Sequence, residues 1–228
     1  IKCICARIRI HGVKIPSPRA KAQVPTRKKV REIVTPDQWR TIIQRFPYGH
    51  SCYIPLLLAY RCGLRLGEAF AVDRKRDINL EKGTLAVNQQ VQWLNGHWTF
   101  TDPKYDSFRV IKLDRYMLAE LKKVIDRQEK AESFYAEYYT HLYENPQRQL
   151  VTEKGEGCRE IHMLNVRENG TYIQPRVMMH CGRVIHYDLG FKNYDYHSLR
   201  HTHTTMLIER GAYPKDVQIR LGHKDMRV

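Results

Sequence analysis

The sequence predicts a mostly helical α+β fold carrying one small antiparallel sheet of about three strands. Two patterns and one bulk property lead there. Most of the chain beyond residue 34 places apolar residues at helical spacing between recognisable caps. Near the middle, two runs rich in β-branched and apolar residues flank the turn dipeptide Asn95-Gly96. The 228 residues, 42% of them hydrophobic, suffice to bury one good-sized core, and they contain no internal repeat and no low-complexity stretch.

Residues 1–34 lack the pattern of a compact unit. Pro16, Pro18 and Pro25 interrupt them and Arg27-Lys28-Lys29-Val30-Arg31 is a basic run, so they read as an extended basic linker or the remnant of an upstream domain. A tag-like leader fits the same residues. The compact domain is expected over residues 35–228. Thr35-Pro36-Asp37 opens a helix, with Thr35 as N-cap and proline at the first helical position, running to about residue 46. A second helix is expected from Ser51 to Cys62, where Pro55 is close enough to the start to be tolerated, and Gly63 supplies the turn after it. Gly67-Glu68-Ala69-Phe70 starts a third.

Strands are expected at residues 85–93 and 108–113, around Asn95-Gly96 and a loop over residues 101–107. From Asp114 to about residue 143 the pattern is helical and strongly charged, with Leu118, Leu121, Val124 and Ile125 on one side. The aromatics Phe134, Tyr135, Tyr138, Tyr139 and Tyr143 continue this helix and read as packing rather than as a stacking platform. Residues 145–169 look irregular. Further helices are expected at about residues 176–189, 196–210 and 214–221.

Lys and Arg number 39 against 24 Asp and Glu, leaving a formal net charge of +15. Such an excess points to a polyanionic partner, nucleic acid being the commonest, although a merely basic protein has the same balance. No apolar run approaches the ~20 residues of a membrane span. The first residues alternate apolar and basic side chains and do not form a signal peptide. Cys3, Cys5, Cys52, Cys62, Cys158 and Cys181 form no C-x-x-C pair and read as reduced thiols of a cytosolic protein, not as a zinc site or disulfide frame.

Candidate chemistry falls in separate segments. His197-Ser198-Leu199-Arg200-His201-Thr202-His203 lies at a predicted helix start, where His197 and Arg200 share a face and Leu199 turns to the core. A phosphate there would meet the N–H groups of the helix end, a two-pronged guanidinium and an imidazole able to donate or transfer a proton. Taken alone, each is as well read as a surface arginine or a hydrogen-bonded histidine. His197 and His201 also have the spacing of H-E-x-x-H, but Ser198 stands where the general-base glutamate belongs and no third ligand is near. His203 receives no role. Gly63-Leu64-Arg65-Leu66-Gly67-Glu68 brings an arginine through a tight turn into a helix, with Glu68 placed to orient it or simply to pair with it. In Thr101-Asp102-Pro103-Lys104-Tyr105-Asp106-Ser107-Phe108-Arg109, Lys104 sits in a loop and Ser107 and Arg109 are further donors to DNA backbone. Arg65, Lys104, His197, Arg200 and His223 together would surround a phosphodiester undergoing displacement and supply a proton to its leaving oxygen, without a metal.

Over about residues 35–228 the chain resembles the tyrosine recombinases of the phage-integrase family. The motifs G-L-R-x-G-E (63–68), a lysine before S-x-R (Lys104, Ser107, Arg109), H-x-L-R-H-T (197–202) and L-G-H (221–223) stand in family order. Any one is a modest signal, and the ordered set is specific. The long helical insertion and the wording H-x-L-R-H-T-H-T-T look closest to integrases of conjugative transposons.

The resemblance implies a tyrosine-recombinase catalytic domain that integrates and excises a mobile element by cutting and rejoining DNA through a 3′-phosphotyrosyl intermediate. It implies that Arg65 and Arg200 clamp the scissile phosphate, that His197 and His223 hydrogen-bond it or move protons, that Lys104 protonates the departing 5′ oxygen, and that Glu68 supports Arg65. Neither ATP nor a divalent metal is needed, and no cofactor is implied. The partners implied are duplex recombination sites and further copies of the protein, a tetramer in the synaptic complex, with room for accessory DNA-bending proteins. Arg27, Lys28, Lys29 and Arg31 are expected to add contacts to DNA backbone, and the resemblance implies the bacterial cytoplasm and nucleoid as the setting.

One departure stands out. The nucleophilic tyrosine of the family follows L-G-H by about nine residues, none of the 14 tyrosines matches that position, and Tyr213 fits the turn before Pro214 instead, so the nucleophile is expected beyond Val228. Tyr60-Arg61-Cys62, in place of a small or Thr-rich lead into G-L-R, is a mild departure. A type IB topoisomerase uses similar chemistry on one duplex, but L-G-H and H-x-L-R-H-T favour a recombinase. A non-catalytic DNA-binding relative would keep the basic surface with no reason to keep the phosphate ligands, and a helix-turn-helix regulator would explain residues 214–221 but not the constellation.

Overall fold

The computed structural model of the chain describes residues 33–222. Thr35 caps α1 (Pro36–Arg45) as expected: its hydroxyl accepts from Gln38 N at 3.2 Å, while Thr35 N donates to the Gln38 side chain at 2.8 Å. This reciprocal pair satisfies N–H groups that a helix start otherwise leaves without partners. α1 lays Trp39 against α2 (Tyr53–Cys62), where it stacks on Tyr60 with centroids 3.8 Å apart.

α2 is apolar on every side, and each of its residues except Arg61 is buried. A helix of that kind has no solvent face and belongs at the centre of the core. Leu56, Leu57 and Leu58 are at most 1% exposed, and burial of each such side chain stabilises the fold by roughly 1.5–3 kcal/mol. Along one side runs α6 (Tyr196–Glu209), whose Tyr196 hydroxyl donates to Pro55 O at 2.9 Å. Val34, assigned to the linker from sequence, is buried here instead, and its N–H donates to Thr202 Oγ1 of α6 at 2.8 Å.

After the short α3 (Leu66–Phe70) the expected single sheet is replaced, among the described residues, by three small antiparallel ones. β1 (Ile78–Asn79), β2 (Thr84–Val87) and β5 (Arg109–Lys112) form one; β3 (Gln90–Leu94) and β4 (His97–Thr101) form a hairpin around Asn95-Gly96. The strand expected over residues 85–93 breaks at Asn88-Gln89, because both side chains bond elsewhere. Asn88 Nδ2 donates to Asp77 at 3.1 Å and the buried Gln89 Nε2 donates to Ala71 O at 3.0 Å.

α4 (Arg115–Tyr135) starts on the Asp114 cap, whose carboxylate accepts from Met117 N at 2.7 Å, and buries Met117, Leu121 and Val124. It ends earlier than the helical pattern suggested. Ala136 takes φ 44, Phe134 and Tyr138 are exposed, and Leu142-Tyr143-Glu144 buries alternate residues as β6 (Leu142–Glu144). The aromatic run therefore is not all packing. β6 pairs with β7 (Leu150–Val151) and β8 (Arg159–Ile161) inside the stretch that looked irregular. α5 (Val177–Tyr187), α6 and α7 (Pro214–Leu221) follow near their expected positions. No helix among the described residues is long and apolar enough to cross a membrane.

Candidate functional site: an arginine cluster around Glu68

α2 is followed by Gly63, which adopts φ +68. A side chain there would bring a Cβ to 2.7 Å from Leu221 and 2.8 Å from His203, so the turn both needs the left-handed conformation and has no room beside it. The chain emerges into Arg65, which caps α3, and Glu68 reaches back to accept from Arg65 N at 2.9 Å and from Arg65 Nη1 at 2.7 Å.

Arg65 is not the only partner of that carboxylate. Arg109, at the start of β5, donates Nη1 to Glu68 Oε1 at 3.1 Å and Nη2 to Oε2 at 2.7 Å. Expected from sequence to donate to DNA backbone, Arg109 instead points inward with its side chain 4% exposed, and its remaining bonds reach Ser107 O at 3.0 Å and Arg220 O at 2.9 Å. The reason is the fully buried Glu68, whose charge is costly to bury and is stabilised by each cation brought against it. Burial works to raise the Glu68 carboxyl, but the hydrogen bond and charge of Arg109, joined by the backbone N–H and charge of Arg65, outweigh it and hold it at about 2. Ser107, the other expected donor to DNA, accepts from Arg65 Nη1 at 3.2 Å.

The same arginines hold the last turn of α7. Arg109 Nε donates to Arg220 O at 2.9 Å, Arg200 Nη2 donates to Leu221 O, and Arg65 Nη2 donates to Gly222 O at 2.9 Å. A helix C-terminus presents carbonyls without helical partners and a partial negative charge, which cations satisfy. Here guanidiniums from the N-cap of α3, from β5 and from α6 take consecutive carbonyls.

Arg200 is 2% exposed. Its Nη1 donates to Gly63 O and lies 4.0 Å from Glu68 Oε2, while its Nε is buried with no hydrogen-bond partner among the described residues. Burial, then the nearby charge of Arg65, lower the guanidinium to about 9, so it remains a cation at neutral pH. Beside it, His203 Nδ1 meets Tyr60 O at 3.0 Å and His203 Nε2 accepts from Arg220 Nε at 3.1 Å. Neither His203 nor Arg220 was singled out from sequence. His203 lies three positions after Arg200 on α6, and that spacing was an available signal; Arg220 carried none.

The other expected residues are less tightly assembled. His197 is half-buried in the first turn of α6, its ring 5.2 Å from that of His201. Asp195 caps this helix by accepting from Ser198 N at 2.9 Å, so that N–H, expected to be open to phosphate, is already paired. Lys104 is exposed on a short turn (Lys104–Asp106) with Nζ 5.0 Å from the Tyr105 ring, and no polar contact among the described residues links it to Arg65 or Arg200. His223 and the basic residues Arg27, Lys28, Lys29 and Arg31 lie outside the described residues.

Comparison with known proteins gives a consistent pattern. Residues 32–228 match the phage integrase family. The ICEBs1 integrase of Bacillus subtilis (strain 168) is 25% identical over 215 residues, covering 90% of this chain and 50% of that protein. The chain thus spans about half the length of the curated relative it matches. Among solved structures, the Tn1549 transposon integrase in complex with transposon right end DNA aligns with a TM-score of 0.65 at 20% identity, covering 89% of this chain and 60% of that one. XerA recombinase aligns with a TM-score of 0.59 at 15% identity, over 86% of this chain and 58% of that one. These structures share the fold described above.

Proposed function

The chain belongs to the phage integrase family, and on that footing we propose that it is the catalytic domain of a conjugative-element tyrosine recombinase, which integrates and excises DNA by cutting and rejoining strands. Arg65 and Arg200 clamp the scissile phosphate, and His197 and His223 hydrogen-bond it or move protons. Lys104 protonates the departing 5′ oxygen, and Glu68 holds Arg65. A tyrosine beyond Val228 forms the 3′-phosphotyrosyl bond. A 5′ hydroxyl of the partner strand then attacks that bond and releases the tyrosine, so the bond energy is retained throughout.

The observation that carries this reading is the surplus of guanidinium charge around one carboxylate. Arg65, Arg109 and Arg200 lie within 4.0 Å of Glu68, leaving the cluster net positive. Displacement at a phosphodiester develops negative charge on the non-bridging oxygens, and donors fixed in advance stabilise it without reorganising. Arg200 fits that task in a specific way. Each of its Nη groups already donates to a backbone carbonyl, and among the described residues its buried Nε has no acceptor. Leaving such a group unpaired costs about 1–3 kcal/mol, which a phosphate oxygen would relieve.

The partners in this reading are duplex recombination sites, a tetramer of the protein in the synapse, and accessory DNA-bending proteins, at the nucleoid of a bacterial cell. Arg27, Lys28, Lys29 and Arg31 follow the DNA backbone. The test is covalent trapping: the full-length protein is incubated with a nicked duplex carrying the element end and run on a denaturing gel. A DNA-linked band that disappears in Arg200→Ala supports the reading. Tight DNA binding with no band from the unsubstituted protein would replace it with that of a catalytically silent DNA-binding relative.

A further inference from the structure

Arg109 is a buried cation for which the phosphate-clamp reading has no direct use. Its guanidinium faces Glu68, Ser107 and the end of α7, not solvent. Placing a full charge in that position is costly unless it is needed there.

Two features say what it does. If Glu68 were paired with Arg65 alone, the carboxylate would cancel most of the charge that Arg65 offers. Arg109 takes both Glu68 oxygens, so the triad Arg65–Glu68–Arg109 keeps one net positive charge, and Arg65, 15% exposed against 4% for Arg109, is the member that reaches the surface. In addition, Arg109 Nε grips Arg220 O, the carbonyl next to those held by Arg200 and Arg65. One side chain thus sets both the charge beside Arg65 and the turn on which Arg65 and Arg200 lean.

We propose that Arg109 is a positioning residue for the strand-cutting step: it neutralises Glu68 and pins the C-terminal turn of α7, so that Arg65 and Arg200 present fixed, uncancelled charge to the scissile phosphate. This rests on the recombinase reading above. Arg109 does not touch DNA itself. It acts through Glu68 and the α7 carbonyls, in the way that partners behind a ligating group tune it.

The experiment compares the full-length protein with Arg109→Met, Arg109→Lys and the pair Arg109→Met/Glu68→Gln. It measures the melting temperature, the Kd for uncleaved element-end duplex, and the single-turnover rate of covalent adduct formation at saturating nicked duplex. The expected result for Arg109→Met is a cleavage rate lower by about 10- to 100-fold, the usual effect of removing a supporting partner, with Kd changed less than about threefold. Arg109→Lys recovers part of that rate, because it returns the charge without the two-pronged contact. The double variant, in which a neutral amide replaces the stranded carboxylate, also cleaves faster than Arg109→Met.

Cleavage at the unsubstituted rate in Arg109→Met would overturn the proposal. So would a loss that only follows Kd or melting temperature, with no recovery in Arg109→Lys. If Arg109→Met does not fold, Arg109→Lys and the double variant decide: both cleaving no faster than Arg65→Ala overturns the proposal. No adduct from the unsubstituted protein removes the recombinase reading and this proposal with it, whereas adduct formation indifferent to Arg109 removes this proposal alone.

Discussion

Arg220 donates its Nε–H to Nε2 of His203 at 3.1 Å, and that contact fixes the form of a buried histidine. Because Nε2 accepts, Nδ1 carries the ring proton and donates it to Tyr60 O at 3.0 Å. The imidazole is neutral, 4% exposed, and joins α2, α6 and α7 just behind the arginine cluster.

Acid should break this junction. Burial first, and then the charge of Arg220, lower His203 from 6.5 to about 4. The folded pKa lies below the unfolded one, so the stabilisation is complete above about 6.5 and is lost as pH falls through the interval down to about 4. At roughly 1.4 kcal/mol per unit this amounts to ~3 kcal/mol. Urea unfolding at several pH values should show a shallower acid loss for His203→Gln than for the unsubstituted protein. Equal slopes would remove His203 as the cause.

DNA affinity should fall steeply with salt. The formal net charge of +15 and the preference of arginine for phosphate make counterion release the main driving force. Between about 50 and 200 mM salt, the affinity of the full-length protein for duplex DNA should drop by about 10³-fold or more if it contacts six or more phosphates. A nearly flat response in a fluorescence-anisotropy titration would contradict a phosphate-tracking surface.

Gly63→Ala should destabilise the fold and disturb the cluster together. The new Cβ meets Leu221 at 2.7 Å and His203 at 2.8 Å while the backbone stays at φ +68. Strain of this kind costs on the order of 1–3 kcal/mol. Chemical denaturation reads that loss directly. A change within about 0.5 kcal/mol, as for an ordinary surface substitution, would mean that the turn relaxes freely.

Local signals carried much of this molecule into the sequence. The Thr35 cap and the all-round apolar α2 are written in adjacent residues, and the Gly63-Leu64-Arg65-Leu66-Gly67-Glu68 turn brings its own ion pair. What stayed hidden depends on distant partners. Arg109 looks like any loop-edge cation until Glu68, 41 positions away, is seen to need it. The Arg220–His203 contact spans 17 positions across two helices. β7 and β8 are too short to carry an alternation of their own and exist because β6 pairs with both. The end of α4 is not marked in the sequence because residues 134–143 contain no glycine or proline to stop a helix, and the switch to alternate burial over Leu142-Tyr143-Glu144 shows only in the fold.

The central claim concerns which bond the protein forms, and the chemistry of the trapped adduct tests it most directly. Full-length protein captured on nicked duplex is digested with protease, and the two ends at the break are examined separately in the presence of a chelator. The account predicts a tyrosyl peptide on the 3′ phosphate and a free 5′ hydroxyl that polynucleotide kinase can label. A free 3′ hydroxyl opposite a 5′ phosphate, or a protein link to the 5′ end, would contradict it.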